Sequence, residues 1–158
     1  MKCKFDSKPI SENEWKIVIF TYSDSPLEHP RSFIQKFFNR NLRKEKFQDY
    51  DAIVFVVDAA DKASLPEAKE ELWKFLGFAP DFMDHAVLLV MANKQDVAGA
   101  AHPEDLIKYL SLGVLPRTTQ YKVQATSGLD GRGLAASLDW LSRTIKENRR
   151  KSVTETYL

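Results

Sequence analysis

Glycine is scarce in this chain and arrives late: there are 6 in 158 residues, and the first is Gly77. A phosphate-cradling loop of the form G-x-x-x-x-G-K-[ST] therefore cannot precede that residue, and none follows it. Backbone N–H groups approach a polyphosphate closely only where side chains are absent, so these residues carry no such cradle. Cysteine is nearly missing. The lone Cys3 excludes an internal disulfide and fits a reducing compartment. No apolar run approaches the roughly 18 residues a membrane-crossing helix needs. Neither sign of charge is in excess: 23 basic and 22 acidic residues give a net charge of +1. That balance supplies no global pull toward nucleic acid or acidic membranes. Met1-Lys2-Cys3-Lys4 offers neither a signal-peptide apolar region nor the second-position glycine of a myristoylation site. Tyr157-Leu158 is not a prenylation box. The expectation is a cytoplasmic protein without a lipidation signal and without a nucleic-acid partner.

What is present is hydrophobic residue in strand-like and helix-like patterns, 44% of the chain, enough for one domain with its own core. Residues 1–148 read as that domain and 149–158 as a flexible C-terminal tail. Trp15 to Tyr22 is rich in β-branched and aromatic residues and predicts a strand, with Lys2 to Ile10 as a candidate hairpin partner. Phe33, Ile34, Phe37 and Phe38 fall at helical spacing. Ala52 to Val57 is a continuous apolar run of strand length, as expected of a parallel strand buried on both faces. After it, Ser64, Pro66 and Glu67 mark a helix start with a capping box. Leu65, Ala68, Leu72, Phe75 and Leu76 form its stripe, and Gly77 is placed to close it in a left-handed conformation. A second buried strand (Ala86 to Met91), a helix (Pro103 to Leu110) and a more polar, edge-like strand (Gln120 to Gln124) follow. The last helix, about 133–147, carries Leu134, Leu138, Leu141 and Ile145 on one face. This alternation predicts an α/β fold with a mostly parallel sheet and helices on both faces, whose ligands bind at the carboxyl ends of the strands.

Three of those ends carry polar signatures: Asp58 after Val57, Asn93-Lys94-Gln95-Asp96 after Met91 and Ala92, and Ala125-Thr126-Ser127-Gly128 after Gln124. The middle one is informative. A purine with a protonated N1 and a 2-amino group presents two parallel donors, and a fixed carboxylate such as Asp96 accepts both. Adenine lacks that edge, so the carboxylate discriminates through the penalty on an unpaired buried group. Asn93 can satisfy base acceptors and tie loops together, while the Lys94 stem covers the ring face with its head in water. Alone, the tetrapeptide reads equally well as a polar turn; its place directly behind a buried strand favours recognition.

Three stretches give a specific resemblance. F-V-V-D-A-A-D-K-A-S-L-P-E-A-K-E-E-L (55–72), L-L-V-M-A-N-K-Q-D (88–96) and Q-A-T-S-G-L-D-G-R-G-L-A-A-S-L-D-W-L (124–141) together resemble the ADP-ribosylation-factor branch of the small GTPases. The resemblance implies the three-layer fold of the small GTPases and GTP or GDP as ligand. Asn93, Lys94 and Asp96 would hold guanine. Ser127 and Gly128 fall on the last base-contacting motif, where the Gly128 N–H would meet the guanine oxygen, although Ser127-Gly128-Leu129 departs from the usual residues. Upstream, I-V-I-F-T-Y-S-D (17–24) is similar to the strand that ends in the family's metal-side aspartate, which would be Asp24. No glycine follows it, and the water-positioning glutamine is missing.

On that resemblance the chain starts at the family's second strand. It would lack the first strand, the phosphate loop and the first helix, leaving two unpaired edges in the middle of the sheet unless strands close the gap or the N-terminal hairpin is repositioned. Hydrogen bonds to charged groups are worth roughly 1.5–3 kcal/mol each, so losing four costs on the order of 6 kcal/mol, about four decades of affinity. The nucleotide site is then weak or lost, magnesium rests on Asp24 alone, and no catalytic residue for hydrolysis is assigned. The partners implied are the family's protein effectors and regulators, in membrane traffic, with the protein cytoplasmic or peripheral at endomembranes. The alternative is a nucleotide-free pseudo-GTPase that serves as a protein-interaction module.

Overall fold

The computed structural model describes residues 17–22, 50–77 and 87–156. Asp24, the candidate hairpin strand at 2–10 and the aromatic helix at 31–39 lie outside them. Four strands, β1 (Ile17–Tyr22), β2 (Ala52–Asp58), β3 (Val87–Asn93) and β4 (Gln120–Ala125), form one sheet in the order β1-β2-β3-β4. Every pairing is parallel. Helix α1 (Leu65–Gly77) joins β2 to β3, α2 (Pro103–Tyr109) joins β3 to β4, and α3 (Leu134–Thr156) follows β4.

Each strand steps to its neighbour in the same direction, so right-handed crossovers must deliver α1 and α2 to the same face. They do. Ile53, Phe55, Val57, Leu88, Val90 and Ala92 pack there against Leu65, Ala68, Leu72, Phe75 and Leu76 of α1 and Leu106 of α2. The alternate residues Ala52, Val54, Val87, Leu89 and Met91 meet Leu141 and Ile145 of α3 on the opposite face. The outcome is an α/β three-layer arrangement, and it explains why β2 and β3 are apolar at every position before their last residues, Asp58 and Asn93. The more polar β4 is half-buried throughout, as its place at the end of the strand order requires.

Several local expectations change. Of the alternatives for the sheet, the strands close the gap: β1 pairs directly with β2, Ile17 against Ala52 through Tyr22 against Val57. Ser64 and Glu67 do not cap each other. The Ser64 hydroxyl donates to the Asp61 carbonyl at 2.9 Å, and Glu67 accepts from the buried Tyr22 hydroxyl at 2.8 Å. A tertiary partner thus outcompetes the local one. Gly77 ends α1 without a left-handed backbone, the positive-φ glycines being Gly99, Gly131 and Gly133. Leu138, placed by periodicity in the stripe of α3, is 61% exposed. The helix itself runs on to Thr156 through residues assigned to the tail, and Arg149 on it grips Asp51 with two bonds, 2.7 and 2.8 Å.

Candidate functional site

The carboxyl ends of β2, β3 and β4 converge. Asp58 and Asn93 are register partners at the ends of β2 and β3, and Ala92 is paired with Ala125. Beyond the sheet the chain continues the ladder into the loops: Thr126 N–H donates to Ala92 O at 3.0 Å and Gln95 N–H to Thr126 O at 3.1 Å. Ala59 N–H donates to Asn93 O at 3.0 Å. The loop after β3 is thereby tied on both sides. The Gln95 side chain adds a third tie, donating to Ala101 O at 2.9 Å.

Within this frame Asn93, Lys94, Asp96, Ser127 and Gly128 lie together. Ser127, fully buried, donates its hydroxyl to Asp96 Oδ1 at 2.6 Å. The same Ser127 oxygen accepts from Leu129 N–H at 3.3 Å and Asp130 N–H at 3.4 Å, so one hydroxyl both aims the carboxylate and shapes the turn. Asn93 Oδ1 accepts the Gly128 N–H at 2.9 Å. The amide expected to face a guanine oxygen is thus engaged by Asn93, which crosslinks the two loops.

Lys94 holds a left-handed backbone, φ 64°, a conformation that a residue with a Cβ adopts only when its surroundings fix it, at about 1–2 kcal/mol. The Val97 N–H bond to Lys94 O at 3.0 Å and the neighbouring Gln95 bonds supply that restraint. Its ammonium lies 2.5 Å from Asp58 Oδ2. Hydrogen bonding to Asp58 and the Asp58 charge raise the Lys94 pKa above its usual value, with smaller contributions from Asp61 and Asp96. Asp58 is itself anchored, its other oxygen accepting from Ala60 N–H at 3.0 Å.

The turn after β4 rests on two glycines with positive φ, Gly131 at 79° and Gly133 at 75°. At Gly133 a Cβ would stand 1.9 Å from Ala125 O, so glycine is what lets α3 start against the end of β4. Beside it, Arg132 bonds the Asp130 carboxylate through its backbone and side chain, which holds the Asp130 pKa below its usual value. Among the described residues no group of three or more His, Cys, Asp or Glu is arranged to hold a metal ion.

Asp58, Gln95 and Gly133 were missed as site residues. A signal exists for Asp58, the polar residue that ends an otherwise apolar strand. Gln95 stands inside the tetrapeptide that sequence singles out, but its bond to Ala101 O and the close approach at Gly133 are set by tertiary contact.

A parallel α/β sheet with an Asn-Lys-x-Asp loop braced by a Ser-Gly turn at the next strand end is the arrangement of a small-GTPase fold. A structure of the Arl6 (BBS3) small GTPase from Trypanosoma brucei with bound nucleotide analogue GppNp matches with a TM-score of 0.60 and 29% identity. The match covers 66% of this chain and 64% of that one. The model of the ADP-ribosylation factor family matches residues 36–145. The chain belongs to the ADP-ribosylation factor family.

Proposed function

We propose that this member of the ADP-ribosylation factor family recognises guanine through Asn93, Lys94 and Asp96, with Ser127 and Gly128 as the bracing wall. The observation that carries this reading is the bond from the buried Ser127 hydroxyl to Asp96 Oδ1 at 2.6 Å. It orients the one carboxylate able to accept both donors of a guanine edge, before any ligand arrives. Affinity gained in this way depends on the base. With no G-x-x-x-x-G-K-[ST] among these 158 residues, the chain binds guanine nucleotides weakly, discriminates little between triphosphate and diphosphate, and does not hydrolyse GTP unaided. Its partners are protein effectors or regulators, with a role in membrane traffic at the surface of endomembranes, as its family membership supports.

Titration with a fluorescent GDP analogue, with and without magnesium, tests this. Weak binding, insensitive to magnesium and competed by guanosine, is expected. Tight magnesium-dependent binding would overturn the phosphate part of the proposal. A second reading is a pseudo-GTPase that works as an interaction module with no nucleotide. It is favoured by the direct β1–β2 pairing and by the engagement of the Gly128 N–H with Asn93. It predicts no guanine-nucleotide binding by calorimetry and undiminished partner binding after Asp96→Ala.

A further inference from the structure

Asp58 has no part in the base clamp as described, yet it is the group that holds the clamp's only cation. We propose that Asp58 parks the Lys94 ammonium so that the Asp96 carboxylate stays free for the guanine base, making Asp58 a positioning residue for base recognition. This rests on the guanine-binding reading given above.

The geometry supplies the reason. Lys94 and Asp96 are two residues apart on one tight loop, and opposite charges there attract. Asp96 Oδ1 already takes the Ser127 hydroxyl. Its Oδ2 meets no protein donor among the described residues, and an incoming base needs that oxygen. An ammonium released onto Asp96 would occupy it and cancel the charge that makes it a strong acceptor. Three carboxylates act on the Lys94 ammonium: Asp58 by hydrogen bond and charge, Asp61 and Asp96 by charge alone. Asp61 is committed to its own turn, accepting from Ser64 N–H at 3.3 Å. Asp58 prevails because it is fixed and partly desolvated: Ala60 N–H holds one oxygen, the other faces Lys94, and the side chain is only 16% exposed against 53% for Lys94. Register does the rest, since Asp58 stands beside Asn93 across the β2–β3 ladder. The left-handed backbone of Lys94 is a fixed launching point for a side chain that reaches back across the strand ends instead of over the loop.

The proposal makes a signed prediction. Removing Asp58 should harm guanine binding through Lys94, so removing the ammonium as well should undo the harm. The test is calorimetric titration of guanosine, which has no phosphate, into the full chain as wild type, Asp58→Asn, Lys94→Met and the double variant. Methionine keeps the apolar stem without the charge. Asp58→Asn should weaken guanosine binding by about twofold to fivefold, the range of a partly exposed ion pair. The double variant should bind more tightly than Asp58→Asn and match Lys94→Met. A merely structural role for Asp58 would give the same loss in both Lys94 backgrounds. If Asp58→Asn does not fold, Asp58→Ser, whose hydroxyl also caps the Ala60 N–H, carries the same comparison. Unchanged binding in Asp58→Asn, or a double variant no better than it, overturns the parking role alone. Absence of guanosine binding in the wild type overturns the base-recognition reading and the parking role with it.

Discussion

Replacing Gly133 by alanine should unseat the loop that carries Ser127. Two separate penalties add at this position. The backbone φ of 75° is a left-handed conformation that costs a residue with a Cβ about 1–2 kcal/mol. The added Cβ would also lie 1.9 Å from Ala125 O, 3.0 Å from Ala125 C and 3.3 Å from Thr126 Cα. All three are backbone atoms, so no side chain can swing away, and relief requires moving the start of α3 off the end of β4. Overpacking of that kind costs about 1–3 kcal/mol. The sum, about 2–5 kcal/mol, is a large part of the roughly 5–15 kcal/mol that stabilises a domain. Gly131 separates the two penalties: its φ is 79°, and an added Cβ meets nothing within 4 Å. Urea denaturation followed by tryptophan fluorescence should therefore rank Gly133→Ala well below Gly131→Ala, which loses only about 1–2 kcal/mol. Equal losses for the two variants would refute the close-approach argument.

Ser127→Ala removes the hydroxyl that holds Asp96 and accepts two backbone N–H groups. It should cost about 1–2 kcal/mol in denaturation and lower guanosine affinity by about threefold to tenfold. Trp73→Phe deletes the 2.7 Å bond from the indole N–H to Leu110 O and should destabilise by about 1–2 kcal/mol, because a carbonyl in the core loses its donor. The Lys94–Asp58 pair also sets a pH signature. The folded Lys94 pKa is raised above 10.5, so the pair's contribution is complete below that value and lost as pH rises through the folded pKa. The stability difference between wild type and Lys94→Met, measured by denaturation, should stay flat from about pH 7 to about pH 10 and shrink above it.

The strands and helices were legible where burial imposes a pattern. β2 and β3 are sandwiched between helices, so every position up to Val57 and Ala92 is apolar and a continuous run betrays them. The α1 stripe from Leu65 to Leu76 is buried as periodicity predicts. What failed were inferences about partners. Ser64 and Glu67 satisfy a local capping pattern, yet Glu67 turns to Tyr22, 45 residues away. Leu138 fits the apolar stripe of α3 but lies on a flank that the sheet does not cover. At the site, the Asn-Lys-x-Asp loop was visible because four polar residues follow a buried apolar strand directly. Asp58 was visible as a polar strand end, but its contact with Lys94 was not, because that contact exists only once β2 and β3 are in register. The β1–β2 pairing was one alternative among several, since hydropathy identifies a strand and not its neighbour.

Guanosine against adenosine is the most direct comparison, because it isolates the base edge from every phosphate contact. Calorimetric titration of the wild-type chain should give saturable guanosine binding, none for adenosine, and loss of guanosine binding in Asp96→Ala, whose carboxylate is aimed by Ser127. Equal affinity for the two nucleosides, or guanosine binding that survives Asp96→Ala, would contradict base recognition by this loop.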